Sequence, residues 1–388
     1  MRPRIAILAQ KFGSVGGGER FAKEVTERLA ATGKYEFHVF ANTWESNCEM
    51  VTFHKVPRLK FPRFLRPWFF AAVAGRMITK GNFDLVHSHW GSPHADVYST
   101  HGAPHAHWMK NVLKREPKLI DRMMIAMERR TMASGAGKVF MPVSSHLQSA
   151  YESEYGMLPG KWKVVHPGVD FESFACTGRA EARAEAHAAV RAKYGIASDA
   201  VVLLFVGMNF ESKGLESLIR AAGRVRQARP DAGVHVLVVG RGNEHKFGKI
   251  AGEAGCAGAV TFAGAQREGM EQFYAAADVL AMPASFETFC MVVLEGMAAG
   301  LPVIITEQMG VKDLVQNGVH GFILRDGSAV EDLAKCIEML VHPQARQRMG
   351  DVGRLAARDF GWDQVATRIC SIYDEQLSSS IRKGKPNI

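Results

Sequence analysis

Short apolar runs alternate along this chain with longer segments in which apolar residues recur every third or fourth position. The first run, Ile5–Ala9, leads through Gly13-Ser14-Val15-Gly16-Gly17-Gly18 into a segment with Phe21, Val25 and Leu29 on one face, and Gly33 stops it. Glu36–Ala41, Leu85–His87, Asp96–Ser99 and Val139–Val143 read as further strands. From Asp199 the pattern restarts. A strand at Val201–Val206, a helix from Lys213 to Arg229, a strand at Val234–Val239 and a Gly240-Arg241-Gly242 turn follow one another. Val260–Phe262, Val279–Met282, a helix after Thr288, Val303–Thr306 and Gly321–Leu324 complete the series. Strands alternating with helices imply parallel sheets covered by helices, so the expected class is α/β with two doubly wound units.

The chain has 388 residues, too many for one compact core. The join is expected near Val165-His166-Pro167-Gly168-Val169-Asp170. That gives domains over 1–168 and 169–361, with 362–388 as a terminal segment. Residues 177–193, rich in Ala, Arg and Glu, read as an exposed helix between the halves. Trp362 to Leu377 reads as a last helix, and the polar tail from Ser378 to Ile388 is expected to fray.

Composition adds bounds. The chain is 47% hydrophobic and 22% charged, as ordinary globular proteins are. No uncharged run is long enough to span a bilayer. The N-terminus is basic then apolar, but Gln10-Lys11 ends the run early, so it reads as a buried strand rather than a signal peptide. The six cysteines show no paired C-x-x-C spacing, which argues against a disulfide framework or a zinc site and points to the cytoplasm. The net charge of +9 is lopsided: residues 1–170 carry 24 Lys and Arg against 14 Asp and Glu, residues 171–388 carry 24 against 25. A polyanionic partner is therefore expected for the first half only.

Candidate chemistry concentrates in Ser285-Phe286-Glu287-Thr288-Phe289-Cys290-Met291-Val292-Val293-Leu294-Glu295. Two carboxylates flank an apolar run, and charges in such surroundings need partners. A sugar nucleotide supplies them: hydroxyls for Glu287 and Glu295, and a diphosphate for the helix start between them. Lys213, in Asn209-Phe210-Glu211-Ser212-Lys213-Gly214, lies near another helix start, where a cation is unfavourable unless an anion neutralises it. A solvated loop-tip lysine is the plainer alternative, and the loop's place after a strand favours the diphosphate. The cluster Gly16-Gly17-Gly18 lets the backbone approach a ligand closely, or is simply a flexible loop ahead of a helix.

His101 follows a strand, at the edge where α/β sheets bind ligands. His87, His89, His94, His101, His105 and His107 crowd together, so metal ligation is weighed as well, but their spacing fits no zinc pattern. No D-x-D pair is present to hold a metal against a diphosphate. Segments 53–80 and 105–130 are basic and apolar at once. Each carries seven Lys and Arg, the first with no acid and the second with three. They suit an anionic membrane surface, or are ordinary helices packed on the sheet. No nucleic-acid reader motif accompanies the charge.

These residues resemble the retaining glycosyltransferases of family four, which have the GT-B fold. The resemblance runs over nearly the whole chain, from Gly16-Gly17-Gly18 through Thr43-Trp44-Glu45-Ser46-Asn47-Cys48 and Lys213-Gly214 to the E-x7-E pair Glu287/Glu295. Within the family, Arg20, Met282-Pro283-Ala284 and Ala299-Gly300-Leu301-Pro302-Val303 are most similar to the lipopolysaccharide-core glucosyltransferases that act on heptose. The resemblance implies two Rossmann-like domains facing across a cleft, the acceptor on the first and the nucleotide sugar on the second. The helix from Trp362 would cross back to the first domain. By matched position Glu287 would hold sugar hydroxyls and Glu295 the ribose. The N–H groups of Thr288, Phe289, Cys290, Met291 and Val292, with Lys213, would cradle the diphosphate. Gly16 and Gly17 would approach the donor from the other domain, and His101 matches the active-site histidine. Two departures stand out: Met208 replaces an expected Arg, and Cys290 an expected Gly.

The expected reaction moves a hexose, glucose first, from a UDP-sugar such as UDP-glucose to an acceptor hydroxyl with retention. No cofactor or metal is expected, and Glu287, Lys213 and His101 carry the chemistry. The departing phosphate takes the acceptor proton, so no separate base is needed. Lipopolysaccharide core is the expected acceptor, with a phospholipid or polyprenyl-linked sugar as the alternative, handled at the inner face of the cell membrane. A non-catalytic nucleotide- or glycan-binding protein is a second class. A nicotinamide oxidoreductase, suggested by Gly240-Arg241-Gly242, is a third, disfavoured because that turn follows the second strand of its unit.

Overall fold

A computed structural model describes residues 1–382 apart from 15, 93–94, 135–137, 157–159, 176–179 and 267. Contacts divide the chain into two units, Met1–Gly168 together with the segment from Trp362, and Val169–Gly361. The first unit holds strands β1 (Arg4–Leu8), β2 (Glu36–Ala41), β3 (Val51–Lys55), β4 (Leu85–Ser88), β5 (Val97–Thr100), β6 (Val139–Pro142) and β7 (Lys161–Trp162). They lie side by side as β3-β2-β1-β4-β5-β6-β7, all parallel. The second unit holds β8 (Val201–Met208), β9 (Val234–Arg241), β10 (Val260–Gly264), β11 (Val279–Ala281), β12 (Val303–Thr306) and β13 (Gly321–Leu324). Their order is β10-β9-β8-β11-β12-β13, again parallel. Both are doubly wound sheets. The strand order reverses beside β1 in one and beside β8 in the other, and ligands of such sheets bind at the carboxyl ends of the strands around that point.

The apolar runs are uninterrupted because helices cover both faces of each sheet. Ile5, Ala6, Ile7 and Leu8 are fully buried, as are Val202 to Phe205. The helix Gly17–Ala31 stops where Gly33 turns left-handed. The helix Trp362–Arg382 packs in the first unit. Arg28 reaches Asp363 at 2.9 Å, and the Tyr35 hydroxyl donates to Asp374 at 2.7 Å.

Three expectations change. The last helix runs past Leu377 to Arg382, because no glycine or proline interrupts the chain before Gly384. Residues 383–388 of the expected frayed tail lie outside the described residues. The helix Ala180–Lys193 is not simply exposed, since Val190 and Arg191 are buried. Residues 177–179 of that expected helix are outside the described residues. The basic segment 53–80 spends part of its aromatic content on the core: Phe70, Ala74 and Ile78 pack with Leu8, Phe40 and Val56, leaving Phe61 and Phe64 exposed.

Arg191 joins the helix to the sheet of the second unit. Its guanidinium donates to the carbonyls of Ala200 (2.8 Å), Ser198 (3.1 Å) and Ala276 (3.2 Å) and to the Asp278 carboxylate (2.8 Å). The same Asp278 oxygen accepts from the Val202 N–H at 2.8 Å. Replacing Arg191 by Met strands these acceptors in a buried place. The variant is expected to lose about 3–5 kcal/mol of stability. Urea unfolding checks this, and a loss below about 1 kcal/mol would mean that Arg191 is only a surface ligature.

Candidate functional site

In the second unit the loops leaving β8 and β11 are tied together. The Ser285 N–H and hydroxyl both donate to the Ser212 carbonyl, at 3.0 and 3.1 Å. Glu287 is held in its turn: its N–H donates to Gln308 at 3.0 Å, and its carbonyl accepts from Gly310 at 2.9 Å. This frame sets Lys213 Nζ 2.6 Å from Glu287 Oε1, with both side chains mostly buried. The lysine passes directly over Gly207, where an added Cβ would fall on its aliphatic stem. Any side chain there would displace the ammonium. Lys213 lies in the loop before the helix Leu215–Ala228 rather than in its first turn. Burial works against its charge, but the Glu287 carboxylate, through its charge and its hydrogen bond, helps to outweigh that, and the pKa lies above the usual lysine value.

Met291–Ala298 forms the helix that starts between the two carboxylates and contains the second, Glu295. The N–H groups of Met291 and Val292 belong to its first turn, which helix geometry leaves without intrahelical acceptors. Val293 N–H is already taken by the Cys290 carbonyl at 3.1 Å. The Phe289 carbonyl accepts from the Val311 N–H at 2.9 Å, so this residue is anchored in the same loop as Glu287. Glu295 is buried in the helix, and its Oε2 accepts from the Tyr274 hydroxyl at 2.8 Å. Tyr274 is thus a partner that spacing alone did not reveal. Met208, at the end of β8, is exposed.

Cys290 caps the helix at φ 85°, a left-handed conformation that favours glycine. Burial pushes its thiol up to about 12, Glu287 adding and Lys213 opposing, so it stays protonated at neutral pH.

In the first unit, the glycine loop lies at the start of the helix Gly17–Ala31. Gly16 caps it at φ 97°, and its carbonyl accepts from Arg20 N–H at 3.0 Å. Gly16 and Gly17 are exposed, whereas Gly18 packs on His101, where an added Cβ would come 3.1 Å from Cγ of the ring. Gly18, Glu19, His89, Trp90, His101, Met124, Met127 and Glu128 are among the residues lining a cavity of about 620 Å³. Glu128 is held there by the hydroxyls of Tyr151 (3.0 Å) and Tyr155 (2.5 Å) and by His105 N–H (2.8 Å), and burial pushes its pKa up. A smaller cavity shares Gln10 and Lys11 with this one and adds Arg58 and Arg66.

The crowded histidines divide. His87, His89 and His101 come together: His89 Nδ1 lies 3.0 Å from His101 Nε2, and His87 bonds the Tyr373 hydroxyl at 2.6 Å and Ser99 Oγ at 2.8 Å. His105 turns instead to Asp121 at 3.0 Å, and His107 to Asn111. His94 lies outside the described residues. Among the described residues no three His, Cys, Asp or Glu side chains are grouped to hold a metal ion. The contacts of His89 and Gly18 with His101 escaped the sequence reading. The H-x-H spacing of His87 and His89, which puts both on one face of an extended segment, is the signal that could have found the first.

Two outcomes follow. Burial holds the pKa of His87 down to about 3 and of His101 to about 4, against about 6.5 when unfolded. Below about 6.5 the unfolded chain takes up protons that these rings refuse. Stability is therefore expected to fall between pH 6.5 and 4 by up to about 1.4 kcal/mol per pH unit for each histidine. A urea midpoint of the first unit that is flat from pH 7 to 5 contradicts this. At position 290 the usual order of small residues should reverse. Cys290→Gly is expected to be about 1 kcal/mol more stable than Cys290→Ala, because alanine keeps the left-handed strain. Equal melting temperatures for the two would show that no strain resides there.

Comparison with known proteins places this geometry. The family described as Glycosyltransferase Family 4 matches residues 15–173, and Glycosyl transferases group 1 matches residues 200–342. A D-inositol 3-phosphate glycosyltransferase of Kribbella flavida is 30% identical over 313 residues, covering 76% of this chain and 71% of that protein. D-inositol 3-phosphate glycosyltransferase 1 of Catenulispora acidiphila is 28% identical over 424 residues, covering 98% and 97%. Among solved structures, WaaG, a glycosyltransferase involved in lipopolysaccharide biosynthesis, superposes with a TM-score of 0.80 at 22% identity, covering 95% of this chain and 99% of its own. Anabaena HepE in complex with UDP-glucose gives 0.70 at 17%, covering 96% and 99%. With both sheets doubly wound and the matches spanning both units, the chain belongs to the group 1 and family 4 glycosyltransferases of GT-B fold.

Proposed function

We propose that this enzyme transfers a hexosyl group, glucose from UDP-glucose first, to an acceptor hydroxyl with retention of configuration. The observation that carries this reading is the Lys213–Glu287 pair beside the first turn of the helix Met291–Ala298. Without donor, each charge neutralises the other. An arriving diphosphate offers Lys213 a second anion and draws it from the carboxylate, which leaves Glu287 able to accept from sugar hydroxyls. The N–H groups of Met291 and Val292 and the Lys213 ammonium then stand ready for the charge that builds on the departing diphosphate. The departing phosphate oxygen takes the acceptor proton, and Glu295 is assigned to the ribose. His101 offers a bound substrate a neutral ring, which suits hydrogen bonding rather than proton abstraction at pH 7.

For the acceptor, the first unit supports a polyol or sugar that carries phosphate. Glu19 and Glu128 in the larger cavity can accept from hydroxyls, and Lys11, Arg58 and Arg66 in the smaller one suit a phosphate. The relatives named as D-inositol 3-phosphate glycosyltransferases agree with this choice. A second reading, transfer to lipopolysaccharide core or to a lipid-linked sugar at a membrane surface, draws on Phe61, Phe64, Leu113, Leu119 and Ile120, which stand exposed within the two basic segments. Among the described residues no helix is long and apolar enough to cross a membrane, so such docking would be peripheral.

Release of UDP from UDP-glucose, with and without acceptor, tests the reading. Lys213→Ala and Glu287→Ala are each expected to lower kcat about 10²–10³-fold. Normal turnover in either variant would remove the assignment, and no UDP release by the wild type with any acceptor would favour a binding protein. D-inositol 3-phosphate, core oligosaccharide and phospholipid-linked sugar, compared by kcat/KM, separate the acceptor readings.

A further inference from the structure

His89 carries no role so far, although it shares the larger cavity with His101. Its backbone is fixed, since its N–H donates to the Leu8 carbonyl at 2.9 Å as the chain leaves β4. Its ring lies nearly parallel to that of His101, 14° apart, with Nδ1 3.0 Å from Nε2. On its other side it packs on His87 with ring centroids 4.3 Å apart, and His87 is anchored by Tyr373 and Ser99. Phe21 and Gly18 close on the His101 ring, the Phe21 centroid at 5.0 Å.

Burial keeps both rings of the pair neutral at pH 7, with the neighbouring histidines adding to the effect at His89. A neutral imidazole has one N–H and one lone pair. At 3.0 Å one bonded nitrogen must donate and the other accept, so the two tautomers are set jointly. If His101 Nε2 donates, its Nδ1 is an acceptor; if it accepts, its Nδ1 is a donor. Either way Nδ1 is the ring atom left for a ligand.

We propose that His89 is a positioning residue that fixes the tautomer and ring orientation of His101, and so decides which hydrogen-bonding character His101 presents to substrate. This rests on the proposed function for its kinetic consequence, but the tautomer itself is a property of the free protein.

The test uses the full chain with 15N-labelled histidine at pH 7.5. Long-range 1H–15N spectra report which ring nitrogen of each histidine is protonated. The wild type is expected to show one tautomer for each ring, complementary at the bonded nitrogens. In His89→Phe, which keeps a ring without the hydrogen bond, His101 should become a mixture of tautomers. The kcat for UDP release from UDP-glucose should fall roughly ten-fold, with KM changed less than about two-fold. His89→Asn, whose amide reaches the position of Nδ1, should restore a single tautomer and most of the rate. An averaged His101 signal in the wild type, or a tautomer unchanged in His89→Phe, overturns the proposal even if a variant folds poorly. So does a KM that rises as kcat falls. If the wild type releases no UDP at all, the proposed function fails while the spectra still decide the pairing.

Discussion

A cation and an anion mostly buried side by side, Lys213 and Glu287, set the constraint around which the candidate site of the second unit is arranged. Neither could stay charged at that depth alone, because removing one partner strands the other in a medium that solvates it poorly. The surrounding backbone is arranged accordingly. Gly207 leaves room for the lysine stem, the Ser212 carbonyl ties two loops together, and the 308–311 segment holds the backbone of Glu287. Under the proposed function, a pair so held would give a diphosphate sugar a cation for the phosphates, a carboxylate for the hydroxyls and a helix start whose first N–H groups lack intrahelical acceptors.

The first unit meets a different constraint. Its cavity holds neutral imidazoles, a carboxylate gripped by two tyrosines, and methionine side chains; Lys11 lines it together with the smaller cavity, which adds Arg58 and Arg66. The histidines are neutral because they are buried against one another, so their hydrogen bonds, not their charge, carry information. Under the proposed function, these hydroxyl-accepting and phosphate-suited groups would serve an acceptor with both kinds of substituent. Part of the aromatic content of the basic segment 53–80 belongs to the core, where Phe70 packs on β1 and β2, and only the remainder is available at the surface.

Cys290 links the two departures from the family pattern to physical cost. A left-handed helix cap occupied by a residue with a side chain stores strain, and the thiol placed there is kept neutral beside Lys213. Met208, exposed at the end of β8, adds no charge, which leaves the lysine as the cation that the described contacts place against Glu287.

The doubly wound architecture and the E-x7-E pair were legible because they rest on local rules. Apolar runs between amphipathic helices specify parallel strands, and a carboxylate inside an apolar segment must find a partner. The sequence by itself thus determined the doubly wound class, most of the strands to within a few residues and the candidacy of Lys213, Glu287, Glu295 and His101, but not the two edge strands of the first sheet, Val51–Lys55 and Lys161–Trp162. Tertiary structure alone decided what these groups touch: Lys213 on Glu287, Glu295 on Tyr274, His101 on His89, and Gly18 rather than Gly16 or Gly17 against the histidine ring. The separations of those partners along the chain are set by the lengths of crossovers and loops, which obey no periodicity. A residue's burial and its hydrogen-bond partner depend on how distant segments pack, and no local pattern encodes that.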